Sequence, residues 1–145
     1  MDEFDQNSKP ISTILLNQRY RNHIIEYLEW VSSYQLQRDY QKKVPLVHVP
    51  HEAFNQWEDF ASDEILQHYM EPVFSREEQS ALDEYRRVLA AIADETPQIL
   101  PALEELIGTE VWERMRLAAE RAYKVLMRRG LFDWNVEQFP AVDET

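Results

Sequence analysis

From Thr13 to about Lys43 the chain carries neither proline nor glycine, and Leu16, Tyr20, Ile24, Tyr27, Val31 and Tyr34 recur at spacings of three and four. That period places their side chains along one stripe of an α-helix. Ser12 stands where its hydroxyl would accept an orphan N–H of the first turn. Unbroken, such a helix would reach about 45 Å, longer than the diameter of about 38 Å expected for a compact domain of this size. Either it bends near Ser32–Ser33, or its Gln35-to-Lys43 end projects as an arm.

Five further helices are predicted. Ala53, Trp57 and Phe60, with Phe54 beside them, predict a short helix with Pro50 in its first turn. Ser62, followed by Asp63 and Glu64, predicts another that Pro72 stops. Ser75-Arg76-Glu77-Glu78 matches a capping box, and Leu82, Tyr85, Leu89 and Ile92 continue it as a helix to about Asp94. Thr96-Pro97 predicts the start of a shorter helix ending before Gly108. Thr109 opens the last long one, through Trp112, Met115, Ala119, Ala122 and Leu126 to a stop at Gly130.

Between these helices lies the one apolar run bracketed by prolines, Val44-Pro45-Leu46-Val47-His48-Val49-Pro50, which reads as an extended connector. Phe132, Trp134 and Val136 alternate with polar residues in the tail, so a minor two-stranded ribbon of this tail with residues 44–50 is an alternative, with the connector as its edge strand. Both glycines fall where a left-handed residue ends a helix, and none falls in a hairpin or a phosphate-cradling loop. The expectation is an all-α, single-domain bundle of five or six helices: a loose arm over residues 1–11, one helical domain over 12–139, and a short tail over 140–145. Two long helices would run antiparallel with a third packed across them.

Composition supports a folded chain, because 44% of its 145 residues are hydrophobic and 12% aromatic. The net charge of −12 disfavours direct nucleic-acid binding and acidic membrane surfaces, whose partners attract Lys and Arg. No cysteine is present, which removes disulfides, thiolate metal sites and cysteine nucleophiles. Met1-Asp2-Glu3-Phe4-Asp5 lacks the basic start and apolar run of a secretory signal, and the longest apolar run, Val88 to Ala93, is too short to span a bilayer. A cytoplasmic protein is expected.

The charge is unevenly spread. Residues 1–50 hold six acids and six bases, residues 51–108 fourteen acids and three bases, and residues 109–145 seven acids and six bases. Such an acidic middle would attract a basic protein partner. Trp57, Glu58, Asp59, Asp63 and Glu64 are its candidate contact residues, an aromatic anchor beside four carboxylates. This favours a non-enzymatic binding protein of the immunity, antitoxin or regulatory kind, without a cofactor.

Two alternatives compete. His48, His51, Glu52 and His68, or His23 in place of the last, offer imidazole and carboxylate ligands for a divalent metal and so a metal-dependent hydrolase. Against it, the His-Glu-x-x-His and His-x-x-Glu-His orders are both missing, and Pro50 separates the first two histidines. His23-x-x-Glu26 and His68-x-x-Glu71 run opposite to the Glu-x-x-His order of di-iron bundles. Glycine-rich nucleotide loops and Gly-x-Ser-x-Gly are absent. The other alternative is a structural helical module forming a homodimer through the first long helix.

Overall fold

Ser12 accepts from the Leu15 N–H at 3.1 Å and starts helix α1, Thr13–Val31. In the computed structural model, which describes residues 11–139, six further helices follow: α2 Tyr34–Lys43, α3 Val49–Ala61, α4 Asp63–Leu66, α5 Arg76–Glu95, α6 Leu103–Leu106 and α7 Glu110–Met127. Five have ten residues or more, and α4 and α6 are single turns. The fold is an all-α bundle, with no strand among the described residues. Residues 1–10 of the arm expected over 1–11, and the tail over 140–145, lie outside them. No described helix is long and apolar enough to cross a membrane.

The first long helix is broken rather than projecting. The Ser33 hydroxyl accepts from Leu36 N–H at 3.1 Å and caps a new helix, so α2 turns away after Val31. A serine competing for backbone hydrogen bonds at this point makes the break inexpensive. Gln37, buried on α2, donates to the Val31 carbonyl at 2.8 Å and accepts from the Trp112 indole at 3.0 Å, which fixes the corner onto α7.

Helices α5 and α7 pack antiparallel, as the ion pairs Glu77–Arg128, Glu84–Arg121 and Glu95–Arg114 running along them require. The expected apolar stripes face inward: Leu82, Tyr85, Leu89 and Ile92 on α5, and Trp112, Met115, Ala119, Ala122 and Leu126 on α7 are all buried. Helix α1 packs on α7 and is crossed by α2 and α3. Gly130 has φ +78°, and its N–H closes the end of α7 on the Leu126 carbonyl at 2.9 Å.

Three local expectations are corrected. Residues 44–50 are not an extended connector: the Val47 N–H closes a turn on the Val44 carbonyl at 3.0 Å, and α3 already begins at Val49 with Pro50 in its first turn. Thr96 does not open the next helix. Its hydroxyl donates to the Ile92 carbonyl at 2.9 Å and finishes α5, while α6 starts at Leu103. The tail forms no ribbon with residues 44–50, because α1 holds it instead.

That last correction exposes what the apolar pattern hid. Leu16 is exposed, whereas Asn17, Gln18, Arg21 and Asn22 are buried. Asn22 imitates a strand neighbour, donating to the Phe132 carbonyl at 2.8 Å and accepting from the Phe132 N–H at 2.9 Å. Gln18 donates to the carbonyls of Asp133 and Val136, each at 2.9 Å, and accepts from Gln138 N–H at 2.7 Å. The tail's backbone groups are thereby satisfied by amide side chains rather than by a second strand.

Arg21 anchors the same face. All five of its N–H donors are used: Nε on the Gly130 carbonyl, Nη1 on Val73 O and Glu78 Oε1, and Nη2 on Leu126 O and Glu78 Oε2, at 2.8–3.0 Å. Glu78 completes the capping box with Ser75 and also accepts from Arg129 Nη2 at 2.5 Å. Burial by itself would raise the Glu78 carboxyl, but hydrogen bonds from Arg21 and Arg129 outweigh it and hold the group below the usual carboxylate range.

Glu78→Gln leaves Arg21 buried without a counterion, and it is expected to cost about 3–5 kcal/mol in urea unfolding. Because the folded carboxyl is depressed, its contribution is fully present above the ordinary value of about 4.3 and is lost as pH falls through the folded value. The wild-type protein should therefore destabilise on acidification more steeply than Glu78→Gln. Equal slopes in the two acid titrations would refute this role of Glu78.

Candidate functional site

The acidic residues proposed for partner contact sit where α3 turns into α4. Ala53, Trp57 and Ala61 recur every fourth residue and are buried, so Glu58 and Asp59 emerge on the outer side. Trp57 is only 2% exposed. Its ring meets Tyr85 edge-on at 4.8 Å between centroids and Tyr27 at 5.9 Å. It is a core residue, and its assignment as a surface anchor is corrected accordingly.

Two tyrosines hold α3 in this register. Tyr27 Oη donates to the Ala53 carbonyl at 2.5 Å and lies 2.8 Å from Tyr85 Oη, which is left to donate to it. Burial pushes both phenols above their ordinary values. They remain neutral hydrogen-bonding groups at physiological pH.

After Ala61 the Ser62 hydroxyl accepts from the Ile65 N–H at 3.3 Å and begins α4. Asp63 and Glu64 occupy its exposed first turn. Asp63 reaches Arg86 at 3.5 Å with its side chain 77% exposed. Glu58, Asp59 and Glu64 have no ion-pair partner among the described residues.

Folding redistributes the charge imbalance of residues 51–108. Seven of the fourteen acids there make ion pairs, and six bases from outside the segment serve them: Arg21, Arg38, Arg114, Arg121, Arg128 and Arg129. Half of the acidic middle is thus answered within the fold; of the seven acids left without an ion pair among the described residues, Glu58, Asp59 and Glu64 lie at the α3–α4 corner, and Glu52, Glu71, Asp94 and Glu105 lie elsewhere. A surface cavity of about 400 Å³ opens beside that corner, lined by Asp63, Leu66, Tyr69, Leu82, Asp83 and Arg86. Arg86 already holds Asp83 there, at 2.8 Å.

The candidate metal ligands are only partly assembled. His48 and His51 lie with ring centroids 4.5 Å apart, where the chain enters α3. His51 Nε2 accepts from the Leu100 N–H at 3.4 Å, and His48 Nδ1 is buried without a hydrogen-bond partner among the described residues. Glu52 accepts from the Gln56 amide at 3.3 Å. His68 is exposed beyond α4, and its carbonyl accepts from Asn17 at 3.5 Å. His23 stacks on Phe60 at 4.9 Å and meets the Trp134 edge at 5.2 Å. Among the described residues no group of three histidines or carboxylates converges to hold a metal ion.

The helix offered for homodimerisation is enclosed over much of its length, with Ile24, Ile25, Tyr27, Leu28 and Val31 buried along with its four polar residues. The buried polar residues of α1 that the apolar pattern missed, Asn17, Gln18, Arg21 and Asn22, do leave a trace in sequence. Asn17 and Arg21, and Gln18 and Asn22, form a second stripe at the helical spacing of four. Comparisons with protein-family models, with curated proteins and with solved structures found no match to this chain.

Trp57→Ala is expected to lower stability by about 3–5 kcal/mol through the cavity it opens. Glu58→Lys and Asp59→Lys should each change stability by no more than about 0.5 kcal/mol. Chemical unfolding of the three variants tests the division of α3 into a structural and a free face; a comparable loss in all three would overturn it.

Proposed function

We propose that the protein is a small, acidic, non-enzymatic binding module that takes a basic protein partner at the α3–α4 corner, in the manner of an immunity, antitoxin or regulatory factor. The observation that carries this reading is the survival of exposed, unpaired carboxylates at Glu58, Asp59 and Glu64, while half the acids of the surrounding segment are paired within the fold. Charges left unanswered on one corner attract an oppositely charged surface over roughly a Debye length, about 8 Å at physiological ionic strength.

The corner is also rigidly presented. Trp57 and the Tyr27–Ala53 hydrogen bond fix α3 from inside, so little backbone ordering of that helix remains to oppose association. Asp63, shared with Arg86 across 3.5 Å of an exposed site, is readily exchanged to a partner's base.

Combined substitution of Glu58, Asp59, Asp63 and Glu64 by lysine tests the reading. The parent protein is expected to retain a basic protein from native extract of its source, and the purified pair should associate at least about tenfold more slowly with the variant and at raised salt. Thermal unfolding of the variant should stay close to the parent's. Recovery of the same proteins by parent and variant, with equal association rates, overturns it.

A further inference from the structure

Behind the acidic corner, between α1 and α3 and reached by Tyr40 of α2, lies a cleft of about 340 Å³ whose walls include His23, Tyr27, Trp30, Tyr40 and Phe60. Trp30 stands edge-on to Tyr40 at 5.5 Å and is tilted to Tyr27 at 6.2 Å, whereas His23 stacks parallel on Phe60 at 4.9 Å. Two carboxylates line the same cleft, Glu26 from α1 and Asp59 from α3, both exposed and both without an ion pair among the described residues. Among the described residues no arginine or lysine lines it.

Elsewhere the fold answers this combination of ring and carboxylate with one of its own arginines. Arg116 lies over the Tyr34 ring at 5.6 Å and forks onto Glu113 at 2.7 and 2.8 Å, while Tyr34 Oη donates to Glu113 at 2.7 Å. Arg21 lies over Phe132 at 4.4 Å and Arg129 over the same ring at 5.2 Å, and both hold Glu78. Each is a ring face, a carboxylate and a guanidinium, the arrangement in which cation–π attraction and a charge-assisted hydrogen bond reinforce one another. The α1–α3 cleft has the first two members and lacks the third.

The geometry points to this cleft as the receptor for one arginine side chain carried on the surface of the basic partner, with the guanidinium against the Trp30–Tyr40–Tyr27 wall and paired with Asp59 and Glu26. The inference rests on the reading of a basic protein partner and supplies its anchor, since Asp59 belongs both to the acidic corner and to the cleft. A planar cation suits it better than an ammonium, because guanidinium stacks on rings while forking onto a carboxylate. Trp30 also provides a reporter: its indole N–H is buried and has no acceptor among the described residues.

The test uses the full chain, labelled with nitrogen-15, and the probe acetyl-Gly-Arg-Gly-amide, followed at the Trp30 indole signal assigned through Trp30→Phe. A saturable shift with a dissociation constant on the order of millimolar is expected for a single side chain. Asp59→Asn and Glu26→Gln, both at exposed positions, should each weaken it by about tenfold. The same tripeptide with citrulline, equal in shape but uncharged, should leave the signal in place. No shift with the arginine probe, or an equal shift with citrulline, overturns the proposal, and tighter binding of putrescine than of the tripeptide overturns a protein-borne source for the cation. Glu58→Lys, Asp63→Lys and Glu64→Lys together separate the two readings. Loss of partner capture with intact tripeptide binding supports both. Tripeptide binding with no basic partner retained by the parent leaves the cleft standing and removes the partner reading, and partner capture indifferent to Asp59→Asn and Glu26→Gln removes the cleft.

Discussion

One buried carboxylate holds the ends of the bundle together. Glu78 accepts from Arg21 and Arg129 while capping the start of α5, and Arg21 spends its remaining donors on the carbonyls of Val73, Leu126 and Gly130. The start of α5, the end of α7, the loop before α5 and the middle of α1 therefore meet at a single charge. Two guanidiniums on one carboxylate leave a net positive cluster, and the carbonyl oxygens at the C-terminal end of α7 offset it, since that end carries the negative pole of the helix dipole. Buried ion pairs often add little net stability, but this one satisfies every Arg21 donor and makes the arrangement of the helices specific.

The consequence reaches the surface through charge. With Arg21 and Arg129 drawn to Glu78, and Arg114, Arg121 and Arg128 of α7 paired along α5, the acids of α5 lose most of their power to attract anything else. No described base pairs with Glu58 or Asp59 of helix α3. Its acids at Glu58 and Asp59 stay open to solvent, so the electrostatic surface is shaped by which helices lie next to α7.

The aromatic residues form the second organising layer. Tyr27 and Trp57 each meet Tyr85 edge-on, and are tilted to one another, in the core between α1, α3 and α5, and the same Tyr27 that holds Ala53 forms a wall of the outer cleft with Trp30. The cleft is thus built on side chains whose positions the core already fixes, which keeps its shape independent of any occupant.

Helix class, the caps at Ser12, Ser75 and Thr109, the stops at Gly108 and Gly130, and the inward stripes of α5 and α7 follow from the sequence alone, because capping and periodic burial are local rules acting within a few residues. The break at Ser32–Ser33 was one of two local possibilities, and packing of Gln37 against Trp112 selected it. The polar face of α1 was written in Asn17, Gln18, Arg21 and Asn22, yet nothing within the helix says that a tail 110 residues away will cover it. Trp57 and Glu58 are neighbours in the chain and look like one patch in sequence, but the helical turn sends one into the core and the other to solvent. The free acids and the aromatic cleft between α1 and α3 were decided only by tertiary structure, since pairing of charges and closure of cavities depend on distances between segments that the order of residues does not contain.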